Sequence, residues 1–342
     1  MIRIASLFFH IDTLISASPV GDGNINDTYQ LVFLQEGKTR SVLLQRLNHL
    51  VFKQPETVTE NTNRICQYLA TQDYPYQIAQ PIPGIDGDFL QVDEAGNYWR
   101  VFRYLENTFA PEGPSDVHIA LEAARAYGAF ANALRDFPAD TLHETIPGFH
   151  DTDRRWEGFM GVLETDPVGR AAETQVEIEA MYRIKPVFDQ ISRMKKSGEL
   201  PLRVSHNDTK AGNVLFDRTT RKAVAVIDLD TVMPGTVLSD FGDMVRTFGT
   251  DCPEDSETPP KLRKDIIAAL KKGFEQDAAG FLSDLEKESL MLGATWIAGE
   301  QALRFLTDWL AGDVYYKIKF PEHNLVRTRN QLALAGCLQA EL

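Results

Sequence analysis

The chain has 342 residues, of which 43% are hydrophobic and 25% charged, and its formal net charge is −14. That length exceeds what one core comfortably serves and implies two lobes of an ordinary globular protein. The acidic balance excludes nucleic acid as a partner, because phosphates demand a basic face.

The opening stretch MIRIASLFFHIDTLI is apolar, but His10 and Asp12 interrupt it and no clean cleavage site follows, so it does not read as a secretion signal. Three widely spaced cysteines, Cys66, Cys252 and Cys337, lack metal spacing and suit the reducing cytoplasm. LISASPVGDGNINDTYQLVFL then predicts strand, glycine-bearing turn, strand. In that turn Gly21 and Gly23 let the backbone close over phosphates, and Asn24, Asn26 and Thr28 add donors. A plain hairpin turn would use the same letters.

The run KTRSVLLQRLN predicts a third strand. A site that grips phosphates would want a cation on this strand, typically a lysine paired with a helix glutamate. This strand offers Gln45 and Arg46 instead, and alternation sends them to opposite faces. On charge, Arg46 is the expected cation. Its expected partner is Glu60, with Glu56 as rival, on the helix predicted by Val58, Ile65 and Leu69 in QPETVTENTNRICQYLATQ.

DFLQVDEAGNYWRVFRYLE reads as two strands around an Ala-Gly-Asn turn, followed by a hinge near Arg103 to Asn107. From Val117 onward helical patterns dominate, apart from a strand-rich insert between Arg203 and Val232. The expected architecture is α+β: a small antiparallel-sheet lobe over 1–105, a larger helical lobe over 106–342, and a ligand cleft between them.

The insert begins with RVSHNDTKAGNVLFD, in which His206, Asp208, Lys210 and Asn213 follow the pattern H-x-D-x-K-x-x-N. The apolar run AVAVID then ends on Asp228, with Asp230 two residues further on. Phosphoryl transfer from a nucleotide needs this set: a carboxylate to deprotonate the acceptor, oxygen ligands for magnesium and a cation near the transferred group. Asp208 fits the base, Lys210 the cation, and Asn213 with Asp228 the metal ligands, while His206 and Asp230 support them. An Asx-rich turn between strands is the plain alternative. Downstream, SDFGD copies a kinase motif but leads into a helical pattern, so Asp240 either buttresses the loop or caps that helix.

In LMLGATWIAGEQALRFLTDWLAGD, Glu300, Arg304 and Asp308 form a narrow polar stripe on an apolar helix. The three charges argue against a membrane span. The stripe is either a solvated ion-pair ladder or the lining of a cleft that bonds a polyhydroxylated substrate. His143 and His150 are weaker substrate candidates.

HNDTKAGNVLFD, VIDLDTVMPG and SDFGDMVR resemble the aminoglycoside phosphotransferase and choline kinase family. GDGNINDTYQL, LLQRLNHLVFKQPE and GEQALRFLTDWLAGDVYYKI are similar, within it, to the N-acetylhexosamine 1-kinases. The resemblance implies a protein-kinase-like fold, ATP and magnesium in the cleft, and phosphorylation of the anomeric hydroxyl of N-acetylglucosamine or N-acetylgalactosamine. It also implies that the backbone at Arg103, Tyr104 and Leu105 receives adenine and that Glu300 and Arg304 lie on the sugar side. Two other readings remain: a kinase of choline, homoserine or an aminoglycoside, and a nucleotide-binding regulator without catalysis. Choline would call for an aromatic cage and an aminoglycoside for a dense acidic pocket. Oligomeric state is not legible, and a monomer would suffice.

Overall fold

The computed structural model describes residues 1–21, 25–111, 116–278 and 280–341. A short helix, α1 (Ile2–Ala5), leads into three strands: β1 (Thr13–Pro19), β2 (Asp27–Gln35) and β3 (Lys38–Leu47). The β2–β3 connection is a two-residue turn, Glu36-Gly37, with φ of 52° and 71° at its two positions. Two left-handed residues match the twist of the flanking strands and lock the register that pairs Gln35 with Lys38.

Helix α2 (Pro55–Leu69) follows, then β4 (Pro81–Ile82), β5 (Gln91–Val92) and β6 (Tyr98–Arg103). The strands form one antiparallel sheet in the order β1-β2-β3-β6-β4, with β5 also paired to β6. Strand alternation gives this sheet two unlike faces. Leu31, Phe33, Val42, Leu44, Trp99 and Val101 bury one face beneath Ala5, Phe8 and Phe9. The other face carries Gln45, Arg100 and Phe102, with Gln45 in register with Thr28 on one side and Arg100 on the other.

The remainder is mostly helical: β7 (Thr108–Phe109), α3 (Val117–Ala133), α4 (Thr152–Thr165) and α5 (Gln175–Lys196). The strand-rich insert comprises β8 (Arg203–Ser205), β9 (Val214–Asp217), β10 (Ala223–Val226) and β11 (Met233–Gly235). Five helices complete the chain: α6 (Val237–Phe248), α7 (Lys264–Ala278), α8 (Asp284–Glu288), α9 (Leu290–Ala311) and α10 (His323–Gln339). The insert forms a three-stranded sheet, β10-β9-β7, and a separate antiparallel pair, β11 with β8. This antiparallel sheet region followed by a helical part is the expected mixed fold. No helix among the described residues is long and apolar enough to cross a membrane.

Asn61 on α2 is fully buried and ties the sheet region to the helical part. Its Nδ2 donates to the carbonyls of His143 (2.8 Å) and Val232 (3.0 Å), and its Oδ1 accepts from His143 N at 3.1 Å. The main core surrounds α9, where Trp296, Leu303 and Leu306 pack with Phe188 and Phe241. Helices α6 and α9 touch backbone to backbone, since a Cβ on Gly242 would lie 2.4 Å from Gly293 O and one on Gly293 2.4 Å from Leu238 O.

Gly293→Ala should therefore force the two helices apart. A net loss of about 2 kcal/mol is expected, with overpacking outweighing the gain in helix propensity. Gly336→Ala on α10 meets nothing within 4 Å and should stabilise by about 0.5–1 kcal/mol. Urea denaturation of both variants checks the pair, and equal midpoints would refute the close-contact reading.

Candidate active site

The β8–β9 connection and the β10–β11 connection lie side by side because their flanking strands pair. Ile227 N donates to Asn213 O at 2.9 Å, and Asn207 Nδ2 donates to Thr231 O at 3.0 Å. Two residues in these turns take left-handed backbone, Asn207 (φ 63°) and Asp228 (φ 60°). Asn and Asp tolerate that conformation better than most side chains. His206 is fully buried and meets the Ile227 carbonyl through Nε2 at 3.0 Å, which requires the proton on that nitrogen.

Asp240 on α6 fastens the first loop. Its two carboxylate oxygens accept from His206 N (2.9 Å) and Asn207 N (2.8 Å), and its carbonyl accepts from Thr209 Oγ1 at 2.6 Å. Of its two expected roles these are the bonds of a buttress, and the α6 N-cap, Thr236, makes no side-chain cap.

Asp208 Oδ2 accepts from Lys210 Nζ and from Asn213 Nδ2, each at 2.8 Å. Enclosure alone would push this carboxyl up, but Lys210 reverses the effect and holds it below the usual carboxylate range. The same ion pair raises Lys210 above its ordinary value despite enclosure. Asn213 spends its amide nitrogen on Asp208, so Oδ1 is the oxygen it has to offer.

Asp228 differs from its neighbours. Its side chain reaches solvent, yet among the described residues it accepts no hydrogen bond and forms no ion pair. Protein packed around it, with repulsion from Asp230 next, raises it above the usual carboxylate range even though the side chain reaches solvent. Asp230 is buried and well supplied: it binds the Arg100 guanidinium, accepts from Asn26 Nδ2 at 2.7 Å, and its carbonyl accepts from Thr145 Oγ1 at 2.7 Å. Asp243 accepts from Arg246 Nε at 2.9 Å, and Arg246 also reaches Glu254 at 2.7 Å.

On the sheet side two expectations fail. Arg46 lies on the same face as Val42 and Leu44, away from Gln45, and pairs with Asp27 while about half exposed. Charge suggested it, but strand parity turns it outward. Glu60 is no partner for it, since its carboxylate meets His143 Nε2 at 3.0 Å. Gln45, the alternative at this position, faces inward: Nε2 donates to Thr28 Oγ1 at 3.0 Å and Oε1 accepts from Arg100 Nε at 2.9 Å. Arg100 went unnoticed in the sequence because only its register opposite Gln45 gives it away.

Of the turn donors, Gly21 is left-handed at φ 70°, while Gly23 and Asn24 lie outside the described residues. Asn26 is already committed to Asp230 and to Asn48 N, and Thr28 to Gln45. At the end of β6, Arg103 N donates to Gln80 O at 2.9 Å and Leu105 is buried next to Tyr104.

The α9 stripe divides in two. Glu300 is 2% exposed, takes His150 Nδ1 at 2.9 Å and Arg155 Nε at 3.5 Å on Oε1, and leaves Oε2 without a partner among the described residues. Enclosure would raise this carboxyl, but His150 and then Arg155 bring it below its ordinary value. The Arg304 guanidinium lies 5.4 Å from the Phe149 ring centre and 5.6 Å from that of Tyr316. Asp308, by contrast, accepts from Tyr315 N, Tyr316 N and Asn324 Nδ2 at 2.8–3.0 Å and anchors the loop after α9. The sequence raised His150 only weakly and missed Arg155, which α4 brings to Glu300.

No group of three or more His, Cys, Asp or Glu among the described residues could hold a metal by itself. Asn213 Oδ1 and the unpartnered Asp228 carboxylate, on loops joined by the Ile227 N to Asn213 O bond, are instead the oxygens these loops have to offer. They fit a hard cation such as magnesium, which draws its other ligands from phosphates and water.

Residues 16–281 match the phosphotransferase enzyme family. Among solved structures, the fold is similar to the microcompartment-associated aminopropanol kinase, with a TM-score of 0.68, 18% identity, and coverage of 100% of this chain and 98% of that one. An aminoglycoside phosphotransferase from Alicyclobacillus acidocaldarius gives a TM-score of 0.65 at 12% identity over 98% and 94% of the two chains. A spectinomycin phosphotransferase solved with ADP and spectinomycin gives 0.59 at 13% identity over 99% and 97%. At these identities the likeness is one of fold.

Burial pushes Asp240 up to about 6. A carboxyl raised on folding contributes its full stability below the unfolded value near 3.9 and loses it as pH rises through the folded one. The stability of the wild-type chain relative to Asp240→Asn should therefore fall by up to about 3 kcal/mol between pH 4 and pH 7. Urea titrations at stepped pH check this, and a difference independent of pH would show that the carboxyl is not perturbed.

Proposed function

The chain belongs to the phosphotransferase enzyme family, and from that premise we propose that it transfers a phosphoryl group from ATP to the anomeric 1-hydroxyl of an N-acetylhexosamine. The products are the sugar 1-phosphate and ADP. One observation carries the reading: of the five carboxylates around the loops, Asp228 alone lacks a protein donor among the described residues. Lys210 serves Asp208, Arg100 serves Asp230, Arg246 serves Asp243 and backbone N–H groups serve Asp240. A carboxylate left open beside Asn213 suits a metal ion. Magnesium, when bound, would neutralise charge on the phosphates and align them for in-line attack.

Asp208 orients the acceptor hydroxyl and takes its proton as the oxygen–phosphorus bond forms. Its pairing with Lys210 keeps it ionised at neutral pH, and the Lys210 ammonium would supply a cation to the transferring group. The hydroxyl delivered to Asp208 is chosen on the α9 side. There the free Oε2 of Glu300 can accept a sugar O–H, and Arg304 can donate to a carbonyl or ring oxygen. The segment GEQALRFLTDWLAGDVYYKI, which resembles the N-acetylhexosamine 1-kinases, contains both residues.

The test is ADP release with magnesium and ATP over N-acetylglucosamine, N-acetylgalactosamine, their 1-O-methyl glycosides, glucose, choline, homoserine, aminopropanol and kanamycin. Turnover on the free N-acetylhexosamines that vanishes with the methyl glycosides is the expected result, and turnover confined to an amino alcohol would overturn the substrate assignment. Asp208→Asn should lower kcat by roughly 10²–10⁴-fold without weakening ATP binding. Glu300→Gln should raise the sugar KM by about tenfold or more and leave the ATP KM alone.

A further inference from the structure

The strand lysine of nucleotide-dependent phosphotransferases is missing, and Arg46, the nearest cation in sequence, points the wrong way. On the inward face the cation is one strand over. Gln45 stands in register with Arg100, and Thr28 stands in register with Gln45, so the three side chains form one rung across β2, β3 and β6. Thr28 fixes the Gln45 amide by accepting from Nε2, which turns Oε1 toward Arg100. Arg100 then donates to that oxygen through Nε (2.9 Å) and Nη2 (2.6 Å), and Nη2 also meets Asp230 on the loop that bears Asp228.

One edge of the guanidinium is thus held at three points, and its central carbon Cζ lies 4.9 Å from the Phe102 ring centre. The other edge is not held. Nη1 is shut off from solvent and has no acceptor among the described residues. A charged N–H in that condition is costly, and a phosphate oxygen arriving there would relieve the cost. A lysine could not do both jobs, because an ammonium has no second, pre-aligned edge to offer.

We propose that Arg100, carried on β6 and braced by Gln45 and Asp230, is the cation that grips the nucleotide phosphates in this chain, through Nη1. The proposal rests on the ATP-dependent reading above. The competing account is a purely structural one, in which Arg100 only neutralises Asp230. Double substitution separates the two, because removing both charges cures a structural defect but leaves a missing phosphate ligand missing.

Magnesium-ADP binding is measured by calorimetry, with thermal melting in parallel, on the wild type and on Arg46→Met, Arg100→Met, Asp230→Asn and the Arg100→Met/Asp230→Asn pair. Arg100→Met should melt early and bind roughly 10- to 100-fold more weakly. The pair should recover most of the melting temperature and none of the affinity, while Asp230→Asn alone, which keeps Arg100 but loosens one brace, should bind better than the pair, and Arg46→Met within about threefold of wild type. Two results would overturn the assignment: a pair that binds like the wild type, or a loss in Asp230→Asn alone equal to that of the pair. A wild-type chain that binds magnesium-ADP while the Arg100 assignment fails leaves the phosphotransfer reading intact. One that binds no nucleotide at all overturns both.

Discussion

Everything at the candidate site hangs from the carboxylate of Asp240. A loop that turns through left-handed Asn207 points successive N–H groups into the protein, where water cannot satisfy them. Asp240 satisfies two at once, and in doing so seats the H-x-D segment on α6. Helix α6 is in turn pressed onto α9 through Gly242 and Gly293, with no side chain between the backbones. Because α9 also bears Glu300 and Arg304, the proposed base and the proposed acceptor site ride on one packed pair of helices. Reaction geometry of this kind tolerates little error, and a glycine contact in a close-packed core leaves little freedom to slide.

Charge is distributed with similar economy. Five carboxylates crowd the loops, and four have donors within the fold. The donors come from different places: Lys210 from the loop itself, Arg246 from α6, and Arg100 from the sheet. The Arg100–Asp230 pair, with Asn26 on the other carboxylate oxygen, therefore does more than neutralise a charge. It joins the sheet to the loop that holds Asp228, so sheet and loop are registered by buried, directional bonds rather than by surface contacts.

How much of this was legible beforehand depended on distance along the chain. The H-x-D-x-K-x-x-N segment could be read because its chemistry is contiguous, and the strand alternation that flanks it is a local signal. The role of Asp240 was half legible: its motif was visible, but choosing between cap and buttress required knowing what lay beside α6. Arg100 could not be found, since nothing in YWRVFR says which residue stands opposite Gln45. The Arg46 expectation failed for a related reason. It weighed charge, whereas the pleat had already assigned Arg46 to the face of Val42 and Leu44, opposite Gln45. Likewise Glu300, Arg304 and Asp308 share a helical stripe, yet the loop after α9 folds back and claims Asp308 for its own N–H groups.

The balance of charge at the α9 side supports a neutral acceptor. Against the single carboxylate of Glu300 stand two guanidiniums, Arg155 and Arg304, with His150 beside them. A polycationic amino sugar would be drawn toward so acidic a protein, but at this spot it would meet like charges, a mismatch costing several kcal/mol. A quaternary amine would find the Phe149 and Tyr316 rings already taken up by Arg304. An uncharged polyhydroxyl compound bearing an amide escapes both penalties: its hydroxyls can donate to Glu300 and its carbonyl can accept from a guanidinium. On the proposed reading, the arrangement would discriminate as much by what it repels as by what it binds.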